Sequence, residues 1–585
     1  YFYQDNSVIR RQWIGCEDFT SARDEHYDHF AITFSEGNVS TALFPVELKQ
    51  TGKFAIPTVY VDGVDVSAPY AGDVDEIDES IIPDRIVVNK VNSLMGLTIT
   101  RTIYAFSQQY HNNYFIQTWK LENTGNTDYD DEIELNRLLK GVRFSFGVRY
   151  SVCREGANAI GGGQTWGQWS WVTRRGESYA DHYGEKITEA DPIVDWIRCG
   201  FAFAGQNPVN AFNNIGGPYV TRDGRLAAPH HAGVAMLHID KSASDHSDDP
   251  AQPNTLGWHA GDTFPGVSSY TPDGAASMDI LYSVISGNAY MGLGGTNRFD
   301  ETYMATKPDP SSVHNDGGGT NVWACYGPWD LQPGESVTIV EVEGVSGLSR
   351  KQCETIGTRW KKAYLDPADK GPFTLPDGTT TDNKDTYKNQ WVFTGKDSIL
   401  ETFGRAKRAF DAGFQIPQPP LPPTVVDVKS GGDRITISWT ASPSENDADF
   451  AGYKVFRAVG RTDTVFQEIY SGGREPRAFD DVTATRGISY YYYVVAYNDG
   501  SRNNTGECNP TGPLMSGRYY TQTSEPAYLR RQAGETLADQ VDAEGNIIKA
   551  GIRIVPNPYD IKSRKLQYIG EDDKIMFLNI PGHCT

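Results

Sequence analysis

Nowhere in the 585 residues is there an apolar run approaching the ~20 residues that a helix needs to cross a bilayer. Even Ile280 to Leu293 is short and broken by Ser, Gly and Asn, so no membrane insertion is expected. Basic residues are in the minority, 53 Lys and Arg against 75 Asp and Glu, for a net charge of -22. That balance repels phosphate backbones and anionic lipid, which removes nucleic acid from the expected partners. Cysteine is sparse and scattered, at 16, 153, 199, 325, 353, 508 and 584, with no CxxC and no Cys/His spacing of the zinc kind. Neither a zinc finger nor a dense disulfide framework fits. The odd count leaves at least one thiol unpaired within the chain, buried thiols are the plainer expectation, and a bridge such as Cys153 with Cys199 stays open. No GxSxG, HExxH or Walker-type loop occurs, so nucleophile, zinc-protease and nucleotide chemistries have no anchor.

What is abundant is Gly (59), Tyr (32), Phe (25) and Trp (12), while long runs of Ala, Leu, Glu and Lys are scarce. Aromatics and glycines favour strands and turns over helices, and the fold class expected is mainly β. The length implies several domains. The chain opens at Tyr1 with neither an initiator Met nor a charged-then-apolar leader, so either a removed signal peptide or a start inside a longer precursor is expected.

From residue 1 to 345, segments such as Ala31 to Phe34, Arg85 to Asn89, Leu97 to Tyr104, Tyr114 to Leu121 and Ser336 to Val342 alternate, at least in part, with period two. One buried and one wet face per strand is the mark of an antiparallel sandwich rather than of a doubly wound parallel sheet. Residues 153–273 are less periodic and richer in Gly, His, Trp and Asp, and read as a loop-rich insertion. A closing segment, 346–415, carries two helices. Ser349 caps the first through Lys362, and Asp397 or Ser398 caps the second through Phe410, with a polar, turn-rich stretch from Pro372 to Tyr387 between them. The run at 416–423, Ile-Pro-Gln-Pro-Pro-Leu-Pro-Pro, is a semi-rigid extended linker and the clearest boundary.

Beyond it, Arg434 to Trp439, Gly452 to Arg457 and Tyr490 to Asn498 have the order and spacing of strands B, C and F of a fibronectin type III domain, which residues 424–515 resemble. The resemblance implies a spacer or interaction module. It places Trp439 in the core, Tyr490 at the tyrosine corner, and Tyr492 inward after it, leaving Tyr491 and Tyr493 outside. After a linker at 516–550, Ile552 to Tyr559 reads Ile-Arg-Ile-Val-Pro-Asn-Pro-Tyr. This is similar to the opening strand of the C-terminal β-domain on many secreted proteins of Bacteroidota, so 551–585 is expected to be the incomplete start of such a domain. Its strands would need further residues or another chain to complete them.

Candidate chemistry is thin. Asp24, His26 and Asp28 share one face of a strand and could ligate a metal, though a solvated edge explains them too. Acidic loops at Asp73, Asp75 and Asp78, at Asp245, Asp248 and Asp249, and at Asp447 and Asp449 offer oxygens to Ca²⁺ without following an EF-hand pattern; surface carboxylates are the plainer reading. Trp166, Trp169 and Trp171, near Arg174 and Arg175, are candidates for a sugar-stacking platform, while Trp169 and Trp171 fit equally the core face of a short strand. His230, His231, His238 and His259 are candidates for one pocket. Two functions stay open. The first is a non-enzymatic, exported surface protein that acts by binding other chains or copies of itself. The alternative is a carbohydrate-active protein, glycan-binding or hydrolytic, that uses the Trp-rich insertion.

Overall fold

The computed structural model describes residues 7–34, 42–68, 74–150, 169–173, 197–204, 212–260, 266–267, 269–288, 297–298, 320–462 and 464–530, with short strand segments beyond. The fold is mainly β. The chain forms two compact units: one of residues 1–52, 81–106 and 113–414, the other of 53–80, 107–112 and 415–585.

The first unit is built on two antiparallel sheets. The smaller runs, in order, Asn297–Arg298, Thr255–Ala260, Thr320–Leu331, Leu139–Tyr150, Ser7–Thr20, His26–Thr33. The larger includes, in order, Trp169–Thr173, Cys199–Phe203, His230–Ser242, Ser336–Gly347, Tyr114–Asn123, Leu97–Ala105, Arg85–Ser93 and Leu43–Gly52. Register puts Ile14, Phe144 and Tyr326 on one face of the smaller sheet, and Trp119, Ile339 and Glu341 on the facing side of the larger. The Trp119 and Phe144 rings meet across the gap at 5.3 Å. Burying each such aromatic contributes roughly 1.5–3 kcal/mol, so the seam between the sheets is a main source of stability. Residues 153–273, loop-rich by composition, supply strands to the interior of both sheets, and His230–Ser242 is buried along nearly its whole length.

Helices cover the outer faces. Helix α1 (Ala275–Ile285) lies on the smaller sheet at Gly15, where a Cβ would stand 2.8 Å from side-chain atoms of both Ile285 and Tyr282. Ser349 begins α2 (Arg350–Leu365) with a full capping box to Gln352, and Cys353, Ile356, Trp360 and Ala363 form its buried stripe. A helix not expected from the sequence, α3 (Lys384–Phe393), is capped by Asn383, whose side chain accepts the N–H groups of Asp385 and Thr386. It leads into α4 (Gly395–Asp411), whose N-cap is Thr394 rather than Asp397 or Ser398. Thr394 has helical backbone angles, so the chain barely leaves the helical state between the two.

In the second unit, Ala478–Asp481, Ile435–Trp439, Val425–Ser430, Thr58–Val61 and Val64–Asp65 form one sheet, and Gln467–Gly472, Phe450–Val459 and Tyr490–Asn498 the other. Thr58–Val61 pairs parallel with Val425–Val428, so an early piece of chain extends this sandwich. Val59, Val428, Ile437, Trp439, Tyr453, Tyr490, Tyr492 and Val494 share its core. The proline-rich run packs against the same unit: Pro420, Pro422 and Pro423 are buried, and Ser442 donates to the Leu421 carbonyl at 2.6 Å. Farther on, Arg553–Val555 pairs with Met576–Leu578, whereas Pro556 to Tyr559 lie outside the described residues.

Under α4, the fully buried His231 stacks on Phe203 at 4.9 Å. A Cβ on Gly395 would stand 2.2 Å from its Nδ1, so the helix lies directly on the ring. Burial, reinforced by His230 and Lys396, pushes its pKa down to about 3 against the pull of the Pro229 carbonyl. An unfolded chain takes up this proton near pH 6.5 and the folded one does not, so stability is lost as pH falls from about 6.5 to 3, by about 1.4 kcal/mol per pH unit. Denaturant midpoints at pH 7 and 4.5 should therefore lie closer together in His231→Phe than in the parent, by about 3 kcal/mol of stability. Equal acid losses in both proteins would place the sensitivity elsewhere.

Candidate functional site

Among the described residues, the carboxylates of the acidic loops are spread over separate local partners. Asp245 accepts the N–H and hydroxyl of Ser247 at 3.0 and 2.6 Å. Asp248 pairs with Arg198 at 3.0 Å, and Asp249 caps the Ala251 N–H at 2.9 Å. Three neighbouring carboxylates thus serve three separate partners. Asp78 does the same with Ser80, Asp75 is exposed nearby, and Asp73 lies outside the described residues. Asp449 is buried against Asn498 at 3.4 Å, while Asp447 ends a short 3₁₀ turn. His26 stands 3.9 Å from Asp18 and 3.7 Å from Asp28, all solvent-exposed, and Asp24 occupies the preceding turn. Asp128, Asp130 and Glu134 do come together, with oxygens within 4.8 Å of one another. Local bonds already occupy them: Asp128 accepts the Asp130 N–H at 2.9 Å and Glu134 the Thr127 N–H at 2.7 Å.

The histidines also separate. His231 is sealed under α4, whereas His238 shares the buried Asp240 carboxylate with His246, at 2.8 and 2.7 Å. Those two bonds and the Thr338 N–H hold Asp240 below the usual carboxylate range despite its burial. His259 lies on the strand Thr255–Ala260 of the smaller sheet. Trp169 and Trp171 alternate on an edge strand of the larger sheet; Trp166, Arg174 and Arg175 lie outside the described residues, as does Cys153. Cys16, Cys325 and Cys353 are free thiols, buried, with pKa values raised by burial. In the second sandwich, Trp439 packs against Tyr453 at 5.6 Å, Tyr490 Oη accepts the Thr485 N–H at 2.7 Å, and Tyr492 donates to Asp481 at 2.8 Å. Tyr493, expected outside, is buried by Phe456 and Phe466.

A dense charge cluster lies between the sheets of the first unit. Arg10 donates to Glu341 at 2.5 Å and to Glu343, while Tyr326, Trp119 and Gln117 donate to Glu341 at 2.7, 3.1 and 3.4 Å. The guanidinium sits 4.3 Å from the centre of the Phe146 ring. Burial opposes its charge, yet the two carboxylates hold Arg10 protonated beyond the ordinary arginine range. Glu341 has no exposed surface, and every donor around it is already turned inward. This constellation joins the two sheets and leaves no acid free for a substrate.

An open groove of about 390 Å³ lies where α2, α3 and the hairpin Phe373–Thr374/Thr380–Thr381 meet. Ile356, Phe373 and Tyr387 form its buried floor, with the two rings 5.4 Å apart. Trp391, one turn beyond Tyr387, forms a half-buried wall, and its indole N–H is fixed on the Thr374 carbonyl at 3.0 Å. Gln352, Thr355 and Arg359 recur at helical spacing along the rim of α2, beside Lys351. Arg359 lies over Phe373 at 4.1 Å and pairs through both terminal nitrogens with Asp369, which lowers the Asp369 pKa and raises its own. The volume falls in the roughly 300–1,000 Å³ range of small-molecule sites, and its mixture of ring faces and amide, hydroxyl and cationic groups suits a polar ligand with flat apolar faces. No carboxylate lines it, so the acid pair of a glycoside hydrolase is not part of it.

Composition gave this groove no emphasis, because its aromatics are spread over a stretch that reads as turns. Two signals were present: Asn383 as a helix cap, and Tyr387 with Trp391 at a spacing of four.

No family model matches the chain, and no curated protein matches it. Among solved structures the chain is similar to the crystal structure of a beta-1,2-glucanase from Parabacteroides distasonis, at 10% identity and a TM-score of 0.12, over 69% of this chain and 32% of that one. The chain thus spans about a third of that protein's length.

If the buried cluster joins the sheets as its geometry states, Arg10→Met leaves two carboxylates uncompensated and should lose about 3–5 kcal/mol in denaturant unfolding. Glu341→Leu should lose a similar amount, and the double variant less than the sum. Additive losses would deny the coupling.

Proposed function

We propose that the chain is a non-enzymatic binding protein of the cell exterior, and that its ligand is a glycan seated in the groove between α2, α3 and the Phe373 hairpin. The observation that carries this reading is the Trp391 wall, anchored on the Thr374 carbonyl beside a floor of Phe373 and Tyr387 and under a rim of amide, hydroxyl and cationic side chains. Sugars present apolar C–H faces with hydroxyls at their edges, and such a ligand stacks on the ring while its hydroxyls meet Gln352, Thr355 and Thr374. A ring held in place before the ligand arrives loses little freedom on binding.

In this reading the first unit presents the groove, since it contains every lining residue. The second we take to be a fibronectin type III-like spacer, a reading supported by the buried Trp439 and by the bond from the Thr485 N–H to Tyr490 Oη. Export follows from the company such modules keep, and contacts with other chains through the sandwiches fit the same role.

Retardation in gels containing polysaccharides, followed by calorimetry on the polymers that bind, tests the function. The parent should be retained by at least one polymer without releasing reducing sugar, and Trp391→Ala should bind it about tenfold more weakly or worse with its thermal unfolding little changed. Undiminished binding by Trp391→Ala would move the site elsewhere, and release of reducing sugar would make the protein a hydrolase.

A further inference from the structure

We infer that the glycan taken by this groove is an acidic one, a sugar carrying carboxylate or sulfate, with Lys351 receiving the anionic group while a ring lies on Trp391. The inference rests on the glycan reading above and adds the charge of the ligand to it.

The charged groups lining the groove are Lys351 and Arg359, both cations. In a chain of net charge -22, a lining without a single acid is a local reversal of the surface as a whole. The two cations are not equivalent. Arg359 spends both terminal nitrogens on Asp369 and its face on Phe373, so its charge is compensated within the protein. The acid one turn along the helix from Lys351, Glu354, pairs with Arg350 at 2.9 Å, and Asp369, beside the groove, pairs with Arg359. Lys351 has no ion pair among the described residues.

Its position sharpens the point. Lys351 lies in the first turn of α2, which contains no acidic residue. The first turn of a helix carries partial positive charge, so a cation there is opposed by the backbone itself. An incoming anion relieves that opposition and meets both the ammonium and the end of the helix, while the neighbouring Gln352 keeps its amide N–H₂ free to donate, since its oxygen serves the Ser349 cap. The aromatic floor lies beside this charge, as a sugar with an acidic substituent requires.

The test is affinity for polygalacturonate, dextran sulfate and neutral dextran at 50 and 300 mM NaCl, in the parent, Lys351→Gln and Trp391→Ala proteins. One acidic polymer or both should bind the parent at least tenfold more tightly than dextran, and the advantage should shrink at the higher salt as the attraction is screened. The two acidic polymers separate carboxylate from sulfate as the group recognised. Lys351→Gln should reduce acidic binding to the level of the neutral polymer, whereas Trp391→Ala should weaken all binding. Equal affinity of the parent for dextran and the acidic polymers, or a preference that survives Lys351→Gln, overturns the acidic ligand and leaves the glycan reading standing. Binding of none of the three, together with none of a wider neutral panel, removes both.

Discussion

The first unit depends on a charged clamp buried between its sheets. Arg10 comes from the smaller sheet, and Glu341 and Glu343 from the larger. Hydrophobic faces alone are non-directional and would tolerate sliding of one sheet over the other. An ion pair away from water tolerates no such slippage, because a displacement of a few ångströms strands a charge without a partner. Tyr326 and Trp119 extend the constraint by donating to the same carboxylate, so strands from both sheets are indexed to one residue. The outer helices inherit that alignment. Helix α4 rests on the far side of the strands that carry Glu341, and α1 closes on Gly15, two strands from Tyr326.

Much of this architecture was written in the alternation of residues. Leu97 to Tyr104 and Tyr114 to Leu121 are strands as the pattern required, and Ser349 begins a helix through the reciprocal bond with Gln352. The pattern fell silent where both faces of a strand are covered. Cys199–Phe203 and His230–Ser242 lie inside the larger sheet, buried on both sides, so neither period nor polarity marks them out from loops rich in Gly and His. The same cause hid Tyr493, whose outward position on a strand is covered by Phe456 and Phe466. The groove was obscured for a different reason: the spacing of four puts Tyr387 and Trp391 on one face of α3, but Phe373 joins them only through the turn of a short hairpin, which no linear spacing encodes.

The acidic residues illustrate how little composition says about chemistry. With 75 of them, loops such as Asp245 to Asp249 look like cation sites in one dimension. In three dimensions each carboxylate is used to terminate a turn, accept a nearby N–H or hold an arginine. Against this local use of negative charge, a groove whose lining includes Lys351 and Arg359 and no acid stands out.

Thr58–Val61 completes a sheet whose neighbouring strand begins at Val425, and the accompanying bond from the Ser430 N–H to Asp62 joins residues 368 positions apart. During synthesis the early strand therefore waits, unpaired along that edge, until residues some 368 positions farther on have been made. Closing so large a loop is slow, and an idle strand edge is adhesive. The second unit therefore cannot close its sheet before Val425 to Val428 exist, and a chain cut anywhere between Val66 and Thr424 would leave its early strand without a covalent route home.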